Sequence, residues 1–184
     1  MFASALNQKG RAGFVMANSA SDAGNKEKEI RTKLINDGMV DIIISVGPNM
    51  FMNATLSCTL WFFDKGKKST DRQNKILFIN AQDIFTPIDR AHNTWTDEQI
   101  QEIADIVRRY RKEDNKKPYA DIKGRCKAVD LETIKANDYS LNPGRYVEIE
   151  EKELSNIDFE ARMTELMTEF TTLTEESHEL EKKL

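Results

Sequence analysis

Residues 12–46, AGFVMANSASDAGNKEKEIRTKLINDGMVDIIISV, decide the fold, because two apolar runs flank a segment with helical spacing. Ala12 to Ala17 and Met39 to Val46 have the length and composition of strands buried on both faces. Between them, Lys26 to Asp37 carries apolar residues at helical spacing and ends before a glycine. A strand, a helix and a strand within about 35 residues predict a right-handed crossover and a parallel pair, hence an α/β sheet.

The next stretch, FMNATLSCTLWFFDK at residues 51–65, contains a third strand from Leu56 to Phe63. Only a loop separates this strand from Val46. Because that loop is too short for a crossover helix, we expect the third strand to run antiparallel to its neighbours. A basic turn from Lys65 to Arg72 follows, and Ile76 to Ile79 is predicted as a fourth strand at an edge of the sheet.

The second half of the chain is predicted to be mainly helical. Thr96 to Arg111 is an amphipathic helix, with Thr96 as its N-cap and Gln99 three residues further on. Residues 114–146 are predicted as a mixed connector that contains a short helix near residues 131–136.

The last segment, residues 158–184, has the clearest periodicity in the sequence. Its apolar residues alternate four-residue and three-residue steps, which is the heptad pattern of a coiled coil. The seam consists of Phe159, Met163, Leu166, Phe170, Leu173, Leu180 and Leu184. A helix with one such stripe either packs back on its own domain or meets helices of another chain. The strict 3.5-residue spacing favours a helical bundle with another chain.

Composition narrows the class of protein. Of the 184 residues, 39% are hydrophobic and 32% are charged, with a net charge of −4, which is ordinary for a soluble globular protein. No apolar run reaches the roughly 20 residues of a membrane span, and Met1 begins no signal peptide. Cys58 and Cys126 have no CxxC partner, which favours a reduced cytoplasmic protein. His92 and His178 are isolated, so no metal site is expected.

Six segments, taken together and in order, carry a family resemblance. They are GRAGFVMANSA (10–20), EIRTKLINDGMVDIIISV (29–46), NMFMNATLSCTLWFFDKGKK (49–68), ILFINAQD (76–83), TDEQIQEIADIVRRYR (96–111) and NDYSLNPGRYVE (137–148). The chain resembles the C-terminal portion of the modification subunit of type I restriction-modification systems. Those subunits are adenine-specific DNA methyltransferases that use S-adenosylmethionine.

The resemblance implies a fold and a division of the chain. The fold is α/β, the C-terminal part of a class I S-adenosylmethionine-dependent methyltransferase (Rossmann-like) sheet with its last strand inserted antiparallel between the two before it. A helical extension with a C-terminal coiled-coil helix follows. The implied division is residues 1–90 for the methyltransferase part, 91–157 for the extension and 158–184 for the docking helix.

The family's catalytic and cofactor motifs are not found in this sequence. The glycine-containing loop and the acidic residue that hold S-adenosylmethionine are missing, and so is the Asn-Pro-Pro-aromatic motif that acts on the flipped adenine. The one Asn-Pro pair, Asn142-Pro143, is followed by Gly144-Arg145. We therefore expect the chain to begin after the catalytic motif and to bind no cofactor alone. By itself it is expected to be inactive, with one unpaired edge on the strand at residues 12–17.

The resemblance also suggests site residues. Phe51 falls where related enzymes place a side chain against the extruded base, so it is either a stacking residue or a hydrophobic plug at a strand entrance. Asn53 and Thr55 are weaker candidates for the same pocket, against simple turn chemistry. The basic turn either contacts DNA phosphate or is a solvated hairpin. Its cations are Lys65, Lys67, Lys68 and Arg72.

The implied partners are other subunits and DNA. The tail helix would dock on the helices of the DNA-specificity subunit, and Tyr139, Arg145 and Tyr146 either help that docking or fasten the tail to the domain. Double-stranded DNA, the N-terminal half of the modification subunit and the restriction subunit complete the implied assembly, with no membrane. The alternative is a non-catalytic assembly module or split-gene fragment that binds a specificity subunit only through its coiled-coil tail.

Overall fold

The computed structural model describes residues 2–51, 55–113, 117–148 and 159–181. The chain divides into two compact units, Met1–Ile149 and Glu150–Leu184. The strands of the first unit are β1 (Arg11–Ala17), β2 (Val40–Val46), β3 (Cys58–Asp64), β4 (Lys75–Ala81), β5 (Thr86–Pro87), β6 (Asn93–Thr94) and β7 (Cys126–Asp130). Its helices are α1 (Phe2–Ala5), α2 (Asn25–Asn36), α3 (Asp97–Tyr110) and α4 (Leu131–Ala136), and the second unit contains α5 (Phe159–Glu181).

The main sheet has the strand order β1-β3-β2-β4-β7. Strand β3 lies between β1 and β2 and runs antiparallel to both, so that Ala17 and Val46 both pair with Cys58. β1 and β2 therefore point in the same direction, with α2 connecting them. β2 and β4 pair in parallel, with Val46 opposite Ala81. The predicted crossover and the inserted antiparallel strand are both confirmed.

The prediction that residues 76–79 form an edge strand is wrong. Strand β7 pairs antiparallel along β4, and residues 76–79 have no exposed surface. β7 is only five residues long and buries only Cys126 and Val129, so it carries too weak a periodic signal to be recognised in the sequence. β7 belongs to the predicted extension, residues 91–157. It nevertheless lies in the same sheet as the strands of the first ninety residues.

Two hydrophobic clusters cover the two faces of the sheet. Side chains alternate along a strand, so Ile43 points to one cluster, with α2 and α4, while Ile42 and Ile44 point to the other, with α3. Helix α3 begins with the predicted capping box, in which Thr96 and Gln99 each bond the other's backbone N–H. The core is therefore a three-layer arrangement of helix, sheet and helix.

The second unit is described as the single helix α5. The described seam side chains, Met163, Leu166, Phe170 and Leu173, are all exposed, and Phe170 is 67% exposed. The side chains of Phe159 and Leu180, and the whole of Leu184, lie outside the described residues. The helix confirms the predicted secondary structure, while the coiled coil stays a prediction. Among the described residues, no helix combines the length and the apolar character needed to cross a bilayer.

Candidate functional site

The carboxyl ends of β1, β2 and β4 meet at one edge of the sheet. Ala17, Val46 and Ala81 are the last residues of these strands, and the pairing of the first two with Cys58 puts them side by side. Ligands of open α/β sheets bind in the crevice outside this edge. The loop that follows β2 leaves the sheet here and leads to Phe51.

This loop is held by backbone contacts on two sides. Gly47 packs so closely on the next strand that a Cβ atom would lie 2.5 Å from the carbonyl oxygen of Gln82. Asn49 adopts a left-handed conformation with φ of 62°, and its carbonyl accepts a hydrogen bond of 2.8 Å from the backbone N–H of Asn93. The side-chain amide of Asn93 donates to the carbonyl of Pro48 at 3.0 Å. The start of the loop is therefore tied to β4 and to β6.

Phe51 stands at the end of this anchored loop with 39% of its surface exposed. It belongs to neither hydrophobic cluster, whereas Trp61 and Phe63 of β3 are buried in one of them. Thr55 is also exposed, and Asn53 lies outside the described residues. An exposed ring at the carboxyl edge has a face free to stack on a planar ligand. Its role in a base pocket stays a prediction.

The residues at this edge do not fit S-adenosylmethionine. Gly47 packs on the protein's own backbone and leaves no cradle for a ligand. The carboxylates that follow β1 and β4 are already bonded: Asp22 accepts from Ser140 and from Asn142, and Asp83 pairs with Arg125. In the part of the chain that is described, no cluster of His, Cys, Asp and Glu is arranged to hold a metal ion.

At the opposite end of the sheet, the structure contradicts the predicted phosphate contact for two of the four cations of the basic turn. Lys67 is only 1% exposed, and its ammonium donates to the carbonyls of Val40 and Lys75, both at 2.5 Å. Burial lowers the pKa of Lys67 to about 8. Its donors are used inside the fold, so Lys67 is not available to a phosphate.

Arg72 is buried in the same place and is likewise unavailable. Its guanidinium pairs with Asp41 and Asp64 and lies 5.6 Å from the ring centroid of Tyr110. Asp41 also accepts bonds of 3.0 Å and 2.9 Å from Arg111. Burial opposes the charged form of Asp64, yet the hydrogen bond from Arg72, the positive charges of Arg11 and Arg72 and the backbone N–H of Gly66 together outweigh it and hold the pKa of this carboxyl below its usual range.

A signal for this network exists in the sequence. Asp41 interrupts an otherwise apolar strand and Asp64 ends another, and a buried carboxylate needs a cationic partner. What remains of the predicted phosphate cluster is Lys68, which is exposed, and Lys65, which is half-buried and donates to the carbonyl of Leu6 at 3.0 Å. A phosphate contact at these two residues stays a prediction.

The outer edge of β1 has no pairing partner in the part of the chain that the structure describes. On its other side β1 pairs with β3, and each face of the sheet beside β1 carries an apolar groove. One groove, about 510 Å³, lies between Phe14 and Trp61 on the sheet and Leu34 on α2. The other, about 350 Å³, lies between Phe62 on the sheet and Val107 on α3. An open strand edge with apolar surface on both faces is a surface built for association.

The segment from Tyr139 to Tyr146 fastens the connector to the domain. Arg31 of α2 is buried and donates to the carbonyl of Tyr139 at 2.8 Å. The ring of Tyr146 stacks on Phe78 with centroids 4.3 Å apart, and Arg145 lies 3.5 Å from Asp22. These contacts bond the segment to the core of its own unit, while its part in fastening the tail or in docking stays a prediction.

Comparison with known proteins identifies relatives over nearly the whole chain. The family model for N-6 DNA methylases matches residues 1–154. The chain is 37% identical over 175 residues to the type I restriction enzyme MjaIX methylase subunit of Methanocaldococcus jannaschii, covering 95% of the chain and 31% of that protein. It is 33% identical over 180 residues to the HindI methylase subunit of Haemophilus influenzae, covering 97% of the chain and 39% of that protein. The chain thus spans about a third of the length of these curated relatives.

Solved structures share the fold. The type I restriction-modification methyltransferase subunit of Streptococcus thermophilus matches with a TM-score of 0.63 at 29% identity, over 76% of the chain and 27% of that subunit. The EcoKI M protein matches in fold with a TM-score of 0.59 at 18% identity, over 73% of the chain and 34% of that protein.

Proposed function

We propose, since the chain belongs to the N-6 DNA methylase family, that it is the C-terminal part of a type I modification subunit. The complete enzyme would transfer a methyl group from S-adenosylmethionine to the amino group of adenine in DNA. Its place would be the cytoplasm, consistent with two buried, unbridged cysteines. The observation that carries the proposal is the strand order β1-β3-β2, with β3 inserted antiparallel and β1 open at its outer edge.

The first contribution of the chain would be the end of a larger sheet. A strand supplied from upstream would pair with β1, and upstream helices would fill the two apolar grooves beside it. These grooves are lined by Phe14 and Trp61 on one face and by Phe62 on the other. Covering such surface is favourable by about 25 cal/mol per Å² of apolar area. The missing cofactor site and catalytic motif would lie on the same upstream part.

The second contribution would be one wall of the base pocket. The anchored loop would hold Phe51 against an adenine turned out of the duplex, and Asn53 and Thr55 would contribute polar contacts. Stacking of a base on an aromatic side chain is worth about 1–3 kcal/mol. Lys65 and Lys68 would contact DNA phosphate. Lys67 and Arg72 have no part in this, because they are buried.

The third contribution would be a docking helix. The described seam of α5 exposes Met163, Leu166, Phe170 and Leu173 along a single stripe. Helices of a DNA-specificity subunit would cover this stripe in a bundle. Phe159, Leu180 and Leu184 would extend the same stripe.

Two measurements on the purified full chain test the proposal. We expect no binding of S-adenosylmethionine by calorimetry, and no methyl transfer to DNA. Co-expression with the N-terminal part of a type I modification subunit and its specificity subunit is expected to restore methyl transfer. Tight binding of S-adenosylmethionine by the chain alone would overturn the proposal.

A second function, a non-catalytic assembly module, is favoured by the separate tail unit with its exposed seam. Substitution of Leu166 and Phe170 by Asp in the full chain would abolish capture by a specificity subunit under either function. The two functions differ in the reconstituted enzyme. A module would give no methyl transfer when the N-terminal part is added. Substitution of Phe51 would then change neither the binding nor the methylation of DNA.

A further inference from the structure

A cationic cleft lies at the amino end of β4, away from the base pocket. It has a volume of about 500 Å³, in the range of small-ligand sites. Its walls are the β3–β4 turn, the end of α3 and the segment before β7. The residues used below are Lys75, Arg109, Lys112, Lys117, Tyr110 and Tyr119.

The cleft contains more positive charges than the described ion pairs neutralise. Lys112 pairs with Asp71 at 2.6 Å. In contrast, Lys75, Arg109 and Lys117 form no ion pair within the ranges that the structure describes. Three cations without an ion-pair partner among the described residues therefore line one cavity, in a chain whose net charge is −4. A concave site lined by one sign of charge concentrates ligands of the other sign.

Arg109 provides the most specific observation. Its Nε atom is buried and has no hydrogen-bond partner among the described residues. A buried donor that lacks an acceptor is costly, so nearly all such donors in folded proteins are paired. Because this atom has almost no solvent-accessible surface, the guanidinium must shift slightly before an oxyanion in the cleft supplies the missing acceptor. Guanidinium groups match phosphate oxygens especially well, because their planar donors bind in pairs.

The wall opposite these cations is aromatic. Tyr110 and Tyr119 pack edge to face with ring centroids 5.5 Å apart, and their hydroxyls are held by Lys75 O at 3.3 Å and by Asp121 at 2.8 Å. Tyr119 is only half-buried. It therefore leaves apolar surface for an uncharged part of a ligand beside the phosphate.

We propose that this cleft binds a small phosphorylated ligand of nucleotide size. The cleft encloses its ligand from three sides, which suits a small molecule better than the convex surface of a duplex. It is also separate from the base pocket. Lys75 is the first residue of β4, whereas Gly47 packs beyond the last one, and seven residues of strand span about 20 Å.

Calorimetric titration of the full chain with ATP, with inorganic phosphate and with a short DNA duplex tests this proposal. We expect ATP to bind saturably at one site and inorganic phosphate to compete with it. Arg109→Gln and Lys117→Gln are each expected to weaken ATP binding by about 10-fold to 100-fold. Arg108→Gln is the matched control, since Arg108 is exposed and pairs with Asp105. It should leave the affinity unchanged.

Three results would each overturn the proposal. The first is no saturable binding of ATP or phosphate. The second is wild-type affinity in Lys117→Gln, whose loop position keeps the test valid if Arg109→Gln unfolds. The third is binding of the duplex without binding of ATP, which would make the cleft a DNA contact. The readout is binding alone, so its outcome is independent of methyl transfer.

Discussion

The two ends of the main sheet differ in whether their polar and aromatic side chains are buried or exposed. At the amino end of β2, Asp41, Arg72 and Lys67 are buried and bonded to one another or to backbone carbonyls. At the carboxyl end, Phe51 is exposed on a loop held mainly by backbone contacts. The buried network therefore stabilises the amino end of β2, while the carboxyl end exposes an aromatic side chain.

The largest effect is expected at the amino end. Asp41→Asn would leave Arg72 and Arg111 beside an uncharged amide in the interior. Removing one partner of a buried ion pair costs about 3–5 kcal/mol, and we expect the free energy of unfolding, measured by urea denaturation, to fall by that amount. Asp105→Asn, at an exposed pair with Arg108, is the control and should cost less than about 1 kcal/mol. Equal stability of the two variants would contradict a structural role for the amino end.

At the carboxyl end the expected effect is on activity. Phe51→Ala should reduce methyl transfer by the reconstituted enzyme about 10-fold to 100-fold, as expected from a lost stacking contact. The free energy of unfolding of the chain should change by less than about 1 kcal/mol, because the ring belongs to neither core cluster. Initial rates with labelled S-adenosylmethionine and urea denaturation measure the two quantities.

Two variants sharpen this test of Phe51. Phe51→Trp keeps an aromatic face and should retain activity. Phe78→Ala removes a fully buried ring and should cost about 3–5 kcal/mol of stability. If Phe51→Ala destabilised the chain as Phe78→Ala does, the residue would be a plug and not a stacking surface.

The third effect depends on pH. Burial lowers the pKa of Lys67 to about 8, from 10.5 in the unfolded chain. Between these values the unfolded chain binds more protons than the folded one, so the free energy of unfolding rises with pH. Relative to Lys67→Met, we expect the wild-type chain to gain about 1 to 2 kcal/mol from pH 8 to pH 9.5, since the raised pKa values of Cys58 and Cys126 lower the stability of both chains over this range. Urea denaturation at several pH values measures it.

A control and an upper limit apply to this pH effect. Lys67→Met should lack the rise. Above about pH 10 the trend should reverse, because burial raises the pKa of Tyr146 to about 12 while tyrosines of the unfolded chain begin to ionise. Equal pH dependence of the wild-type chain and Lys67→Met from pH 8 to pH 9.5 would show that the fold does not lower the pKa of Lys67.

The smallest effect concerns Lys68, the exposed remnant of the basic turn. Lys68→Gln should reduce the salt dependence of duplex binding by the reconstituted enzyme by about one unit of slope, as expected for one phosphate contact. Stability should change by less than about 0.5 kcal/mol. Lys33→Gln, on the exposed surface of α2, is the control. An unchanged slope in Lys68→Gln would show that Lys68 contacts no phosphate.

Elements with strong local patterns could be predicted from the sequence. The strands at residues 12–17 and 39–46 and the capped helix after Thr96 were found close to their actual bounds. Strand β7 was not, because it is too short to carry a pattern of its own. Its position along β4 depends on pairing with residues about fifty positions earlier. For the same reason β4 was mistaken for an edge strand.

The candidate site was predictable only in part. Phe51 and its loop follow from the strand that precedes them and from the family resemblance. The direction in which the basic turn points does not follow from its own sequence. The same turn residues can form a solvated hairpin or a buried network. The two differ only in which residues from the rest of the chain contact the turn.

The sequence by itself determined the strand-helix-strand order, the antiparallel direction of the third strand and the periodic tail, because spacing and loop length are properties of neighbouring residues. The insertion of that strand between the other two followed from the family resemblance. Tertiary structure alone decided that Lys67 and Arg72 turn inward while Phe51 stays exposed. Burying a cation requires a carboxylate or carbonyls in reach, and Asp41 supplies that charge from 31 positions away. Long-range electrostatic pairing, and not local propensity, therefore buries these cations at the amino end of the sheet.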